Sequence, residues 1–137
     1  MKRVLLDTDV LLDFFYDRHP FSDDAAQIIG FCEQKKIKAF ITPVIISNLY
    51  YLLRKNASHK KVIDSLKALL TIIDVLNVDK EVVQKALNSK FKDFEDALQN
   101  YASLNKVDII VTRNIKDYKH SELAVFSPAD FVKIVIV

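Results

Sequence analysis

Apolar and polar positions along this chain change period repeatedly, and each change marks the edge of an element. Val4, Leu5 and Leu6 form an unbroken apolar run that stops at Asp7. So short a run suits a strand covered on both faces. Residues 9–16, with Val10, Leu11, Leu12, Phe14 and Phe15, read as a short helix broken at His19-Pro20. Ser22 as N-cap opens a second helix, to about residue 35, whose inner face carries Ala25, Ala26, Ile28, Ile29 and Cys32. Residues 38–41 make a second strand. Thr42-Pro43 is a strong helix start, because Thr caps and Pro at the first helical position forfeits no needed hydrogen bond. That helix runs to about residue 55, and another covers about 58–70. Residues 71–75 suit a strand, 79–88 and 93–105 two helices, and 108–111 and 124–126 two more strands. Ser127-Pro128 repeats the Thr-Pro signal and opens a last helix. Strands alternating with helices imply an α/β domain of three layers, with a central, mostly parallel sheet of four to five strands.

Composition narrows the class. The 137 residues suit one domain, 1–137, and half of them are hydrophobic. A single Gly and three Pro leave no flexible linker. The one cysteine, Cys32, has no partner for an internal disulfide, which favours a reducing, cytoplasmic setting, and its apolar surroundings make it a core residue. No apolar run reaches the roughly 18 residues of a membrane span, and no secretory signal is visible. The apolar segment 131–137 reads as a docking segment or partner-facing surface. The net charge of +2 says little. Local clustering says more: Arg54, Lys55, Lys60 and Lys61, with His59 among them, make either a solvated helix junction or a patch for nucleic-acid phosphate.

Acids and amides occur where the apolar pattern does not ask for them. Asp7 and Asp9 follow the first strand, and ligands of open α/β sheets bind at strand carboxyl ends. Asn48 interrupts an apolar helix. Asp93 and Asp96 are three apart at the start of another helix and project to one side of its first turn; Asp93 and Glu95 there also suit a purely structural role, favoured by the helix dipole. Thr112, Arg113, Asn114 and Asp117 follow the fourth strand. Parallel connections send these four segments to one edge of the sheet. Two carboxylates about 4 Å apart repel by about 4 kcal/mol at an effective dielectric of 20. A pocket of three therefore calls for protonation or a cation. All-oxygen donors point to Mg²⁺ or Mn²⁺, and no His or Cys pair has zinc spacing.

This pattern resembles the PIN-domain family of metal-dependent ribonucleases over nearly the whole chain. Leu5-Leu6-Asp7-Thr8-Asp9 matches its opening, Asn48 its polar residue after strand two, and Asp96-Ala97-Leu98 with Ala102 its acid-bearing helix. Thr112, Asn114, Asp117 and Tyr118 match its closing motif, and Ser127-Pro128-Ala129-Asp130-Phe131 its usual ending. The compact size is similar to that of VapC-type toxins of bacterial toxin–antitoxin pairs. The resemblance implies cleavage of RNA with Mg²⁺ or Mn²⁺, a small antitoxin partner and a homodimer. It implies Asp7, Asp96 and Asp117 as catalytic metal ligands, with Asp9, Asn48, Asp93, Thr112 and Asn114 in support. Arg54, Lys55, Lys60, Lys61 and Arg113 are candidates for holding RNA. The family usually has Glu at the position of Asn48, so the expected ligands carry three negative charges, which one divalent ion matches well. An alternative is a weakened PIN-like fold that binds RNA or protein without cutting. Two other readings lack their motifs. A haloacid-dehalogenase-type phosphatase needs a Gly-Asp motif that is absent, and a receiver domain needs an acid after its middle strand, whereas Asp74 lies within one.

Overall fold

The computed structural model describes residues 1–136. Five strands, β1 (Lys2–Leu6), β2 (Ile37–Ile41), β3 (Ile73–Val75), β4 (Ile109–Val111) and β5 (Ala124–Phe126), form one sheet in the order β3-β2-β1-β4-β5. Every pairing is parallel, so the sheet is wholly rather than mostly parallel. Val4, Leu5 and Leu6 are completely buried, as an apolar run at the centre of a covered sheet requires.

Seven helices connect and cover the strands among the described residues: α1 (Thr8–Phe15), α2 (Ser22–Glu33), α3 (Pro43–Leu53), α4 (His59–Leu69), α5 (Lys80–Leu87), α6 (Phe94–Ser103) and α7 (Pro128–Ile136). Their starts follow local chemistry. Thr42 accepts a hydrogen bond from the Ile45 amide with Pro43 at the first helical position, Ser58 accepts from Lys61, and Asp79 accepts from Val82. Ser127 accepts from the Asp130 amide at 3.1 Å.

Some local expectations fail for reasons of packing. Ser22 does not cap α2. It is the first helical residue, buried, and its hydroxyl meets His19 Nδ1 at 3.5 Å. Ala26 is exposed, because the buried stripe of α2 runs through Ala25, Ile28, Ile29, Phe31 and Cys32. Phe94 is also exposed, one position too early for the inner face of α6. Thr71 and Ile72 form a turn before β3. Of the apolar segment 131–137, Phe131 and Val132 are buried against the core while Ile134 and Ile136 are exposed; Val137 lies outside the described residues. Cys32 is buried, and burial pushes its thiol up to about 12, which leaves it inert. Among the described residues no helix is long and apolar enough to cross a membrane.

The strand order places the site. The chain runs outward from β1 to β3, then crosses back to lay β4 on the other side of β1. Such a reversal opens a crevice at the strand carboxyl ends. Asp7 and Thr112 stand there, and the Asp7 amide extends the β1–β4 ladder by donating to Val111 at 3.0 Å.

Candidate functional site

A cavity of about 610 Å³ opens at this crevice. Asp7, Asp9, Asp93, Glu95, Asp96 and Asp117 line it, together with Asn48, Gln99 and Asn114, and Lys55 is its one cation. Four distant stretches of chain thus bring their acids and amides to one place. Asp7 arrives on the end of β1, Asn48 on α3, Asp96 in the first turn of α6 and Asp117 in a 3-10 turn, Ile115–Tyr118, after β4.

Each acid is held by identifiable donors. Asp7 is 8% exposed. Its Oδ1 caps α1 by accepting from the Thr8 amide at 2.8 Å, and its Oδ2 accepts from the hydroxyls of Thr112 at 2.9 Å and Tyr118 at 3.3 Å. Asp9 is not the helix cap. Its Oδ2 accepts from the Arg113 amide at 3.0 Å and from Asn114 Nδ2 at 3.2 Å, while its Oδ1 is buried with no partner. Asp93 caps α6 by accepting from the Asp96 amide at 3.0 Å, yet it also reaches the cavity.

The electrostatics show an uncompensated cluster. Burial, above all, raises Asp7, with the charge of Asp117 adding to it. Burial and the charge of Asp7 push Asp9 up to about 6. Burial and the charges of Asp7, Asp93 and Asp117 push Asp96 up to about 7. Burial also drives the Tyr118 phenol far up, so it stays protonated and donates. Raised carboxyls, an orphaned buried oxygen and an all-oxygen donor set fit a hard divalent cation. Among the described residues no group of three or more His, Cys, Asp or Glu side chains stands ready-made to hold an ion. The fit is therefore one of chemistry and convergence.

Asn48 donates its amide Nδ2 to Glu95 Oε2 at 3.0 Å. Glu95 therefore joins the cavity, where its place in a helix first turn had suggested only a structural role. Three further residues carried no sequence signal. Tyr118 supports Asp7, Gln99 is buried and bonded to Thr42 at 2.5 Å, and Asp13 is fully buried inside α1. Asp13 takes Arg113 Nε at 2.7 Å and Nη2 at 3.1 Å, and Arg18 Nε at 2.9 Å. The Arg113 guanidinium also lies 3.9 Å from the Phe21 ring. It is thus committed to the fold, contrary to the expectation that it grips RNA.

The other expected cations also divide. Lys55 faces the cavity. Arg54 is tied to the Ala57 carbonyl at 3.0 Å, Lys60 is paired with Asp64 at 3.0 Å, and Lys61 stands exposed. His59 bonds Tyr50 at 2.8 Å.

Comparison with known proteins agrees with this geometry. A sequence model of the family described as PIN domain matches residues 3–116. Ribonuclease VapC1 of Aquifex aeolicus (strain VF5) is 24% identical over 135 residues, covering 95% of this chain and 93% of the relative. A toxin–antitoxin complex from Klebsiella pneumoniae superposes with a TM-score of 0.69 at 21% identity, over 91% of this chain and 97% of the other. VapBC-1 from nontypeable Haemophilus influenzae gives 0.68 at 12% identity, over 93% and 98%.

Proposed function

The chain belongs to the PIN domain family, and from that premise we propose that it is a metal-dependent endoribonuclease, the toxin of a toxin–antitoxin pair. One observation carries the reading. Asp7, Asp96 and Asp117, more than a hundred residues apart at the extremes, line a single cavity whose acids lack the cations to neutralise them. The relative whose name states an activity is a ribonuclease, and one of the similar structures is a toxin–antitoxin complex. These support RNA as substrate and a small antitoxin as partner. A homodimer follows from the same family resemblance.

Asp7, Asp96 and Asp117 would hold Mg²⁺ or Mn²⁺. When bound, that ion supplies charge against the phosphate and makes water a better nucleophile near neutral pH. The chain's own residues do the rest. Thr112 and Tyr118 fix the Asp7 carboxylate through their hydroxyls. Asn114 and the Arg113 amide fix Asp9 behind it. Lys55 meets phosphate charge at the cavity wall. Asp96 or Asp117 accepts the proton of the attacking water. The water oxygen bonds to phosphorus, the bond to the 3′ oxygen breaks, and that oxygen takes a proton from solvent. The products are a 5′-phosphate and a 3′-hydroxyl.

The test is cleavage of a labelled RNA with and without Mn²⁺, beside Asp7→Asn, with the new ends identified. The expected result is Mn²⁺-dependent cutting by the unaltered chain alone, leaving 5′-phosphates. Cyclic phosphate ends, or equal cutting by Asp7→Asn, would refute the scheme. A second reading, a PIN fold that binds RNA without cutting it, draws on Asn48, which brings an uncharged amide to the cavity and donates it to Glu95. RNA binding with no cleavage under any divalent ion would favour that reading.

A further inference from the structure

A second cavity, of about 340 Å³, shares Asp93 and Asp117 with the acidic one. Its remaining lining is Lys92, Lys116, Lys119 and His120. The geometry points to this basic cavity as the site for a backbone phosphate of the RNA strand next to the one that is cut. The inference rests on the nuclease reading above.

The argument begins with charge. The acidic cavity presents six carboxylic side chains and a single lysine. Without help it repels a polyanion, so an RNA strand needs cations flanking the point of attack. The expected flank, residues 54–61, offers little, because Arg54 and Lys60 are already engaged within the protein. Lys92, Lys116 and Lys119 are exposed, and the salt bridges among the described residues lie elsewhere. Three ammonium groups left unpaired around one concavity suit a phosphate.

Chain connectivity ties the two cavities together. Lys92 precedes Asp93, and Lys116 precedes Asp117. Two separate segments therefore each set an acid on the shared ridge with a cation beside it. The wall is continuous as well. The His120 ring packs on Phe91 at 6.3 Å, Phe91 packs on Tyr118 at 6.0 Å, and the Tyr118 hydroxyl bonds Asp7. A strand whose scissile phosphate sits over Asp7 and Asp117 has its neighbouring phosphate directed over this ridge.

The test is fluorescence anisotropy with a short fluorescein-labelled single-stranded RNA, in EDTA, with a gel confirming that the RNA stays intact. Binding is measured across a salt series for the unaltered chain, for the combined Lys92→Ala, Lys116→Ala and Lys119→Ala variant, and for Lys60→Ala. Each single-strand phosphate contact contributes about 0.7 to the salt slope. The combined variant is expected to bind more weakly and to lose about 2 from that slope, while Lys60→Ala loses almost nothing. Circular dichroism should show that all three fold alike. An unchanged slope, a loss no greater than that of Lys60→Ala, or no RNA binding by the unaltered chain would overturn the assignment. Mn²⁺-dependent cleavage run in parallel separates the two ideas. Cleavage with no lysine dependence of binding removes this site and leaves the nuclease, and lysine-dependent binding without cleavage does the reverse.

Discussion

Replacing Asp13 with alanine should cost this protein about 2–3 kcal/mol. The side chain is fully buried and accepts three charge-assisted bonds, two from Arg113 and one from Arg18. Removing one partner of a buried ion pair typically costs about 3–5 kcal/mol, because the other charge is stranded. Here the side chains of Arg113 and Arg18 keep 29% and 42% of their surface in solvent. They recover part of their hydration when Asp13 is lost, which brings the figure down. At about 3–4 °C per kcal/mol for a domain of this size, Tm should fall by about 6–12 °C. The effect should reach the site, since the Arg113 amide holds Asp9 and the same loop carries Thr112. Loss of such supporting contacts typically weakens metal binding by about tenfold or more. The assay is urea unfolding of Asp13→Ala, Arg113→Ala and the double variant. The expected coupling between the two sites is about 1–2 kcal/mol. Additive effects, or an Asp13→Ala protein within about 0.5 kcal/mol of the unaltered chain, would refute the claim that this pair anchors the loop.

Two further outcomes follow from the acidic cavity. Asp9 and Asp96 titrate higher in the folded chain, about 6 and about 7, than the ordinary 3.8, so the folded state binds their protons more tightly. Their contribution to stability is complete below the ordinary value and is lost as pH rises through 6 to 7. In EDTA the Tm should therefore fall between pH 5 and 8, with a shallower fall for Asp96→Asn; a flat or rising Tm would contradict this. Thr112→Val keeps the shape of the side chain but removes the 2.9 Å donor to Asp7. It should cost about 1–2 kcal/mol in denaturant unfolding and lower cleavage, and full activity would show that this hydroxyl does not orient Asp7.

Local signals carried most of the fold. Leu5-Leu6-Asp7 could only be a covered strand ending in an acid, and Thr42-Pro43 fixed a helix start to the residue. Errors arose where one turn of helix had to choose its face. Ala26 and Phe94 are apolar, but their neighbours Ala25 and Ala97 take the inward positions. The acids of the cavity were legible because strand ends in a parallel sheet share an edge. Asp13 was not, since nothing within α1 shows that Arg113, a hundred residues away, will neutralise it. Glu95 and the Lys92–Lys116–Lys119 cavity were missed for the same reason. Their meaning lies in partners that only the tertiary fold supplies.

Isothermal titration of Mn²⁺ into the RNA-free protein, beside Asp7→Asn, Asp96→Asn and Asp117→Asn, probes the shared cation site most directly. The account predicts at most one tight ion per chain, weakened by about tenfold or more in every one of the three variants. Two tight sites, or variants that take up Mn²⁺ as the unaltered chain does, would contradict it.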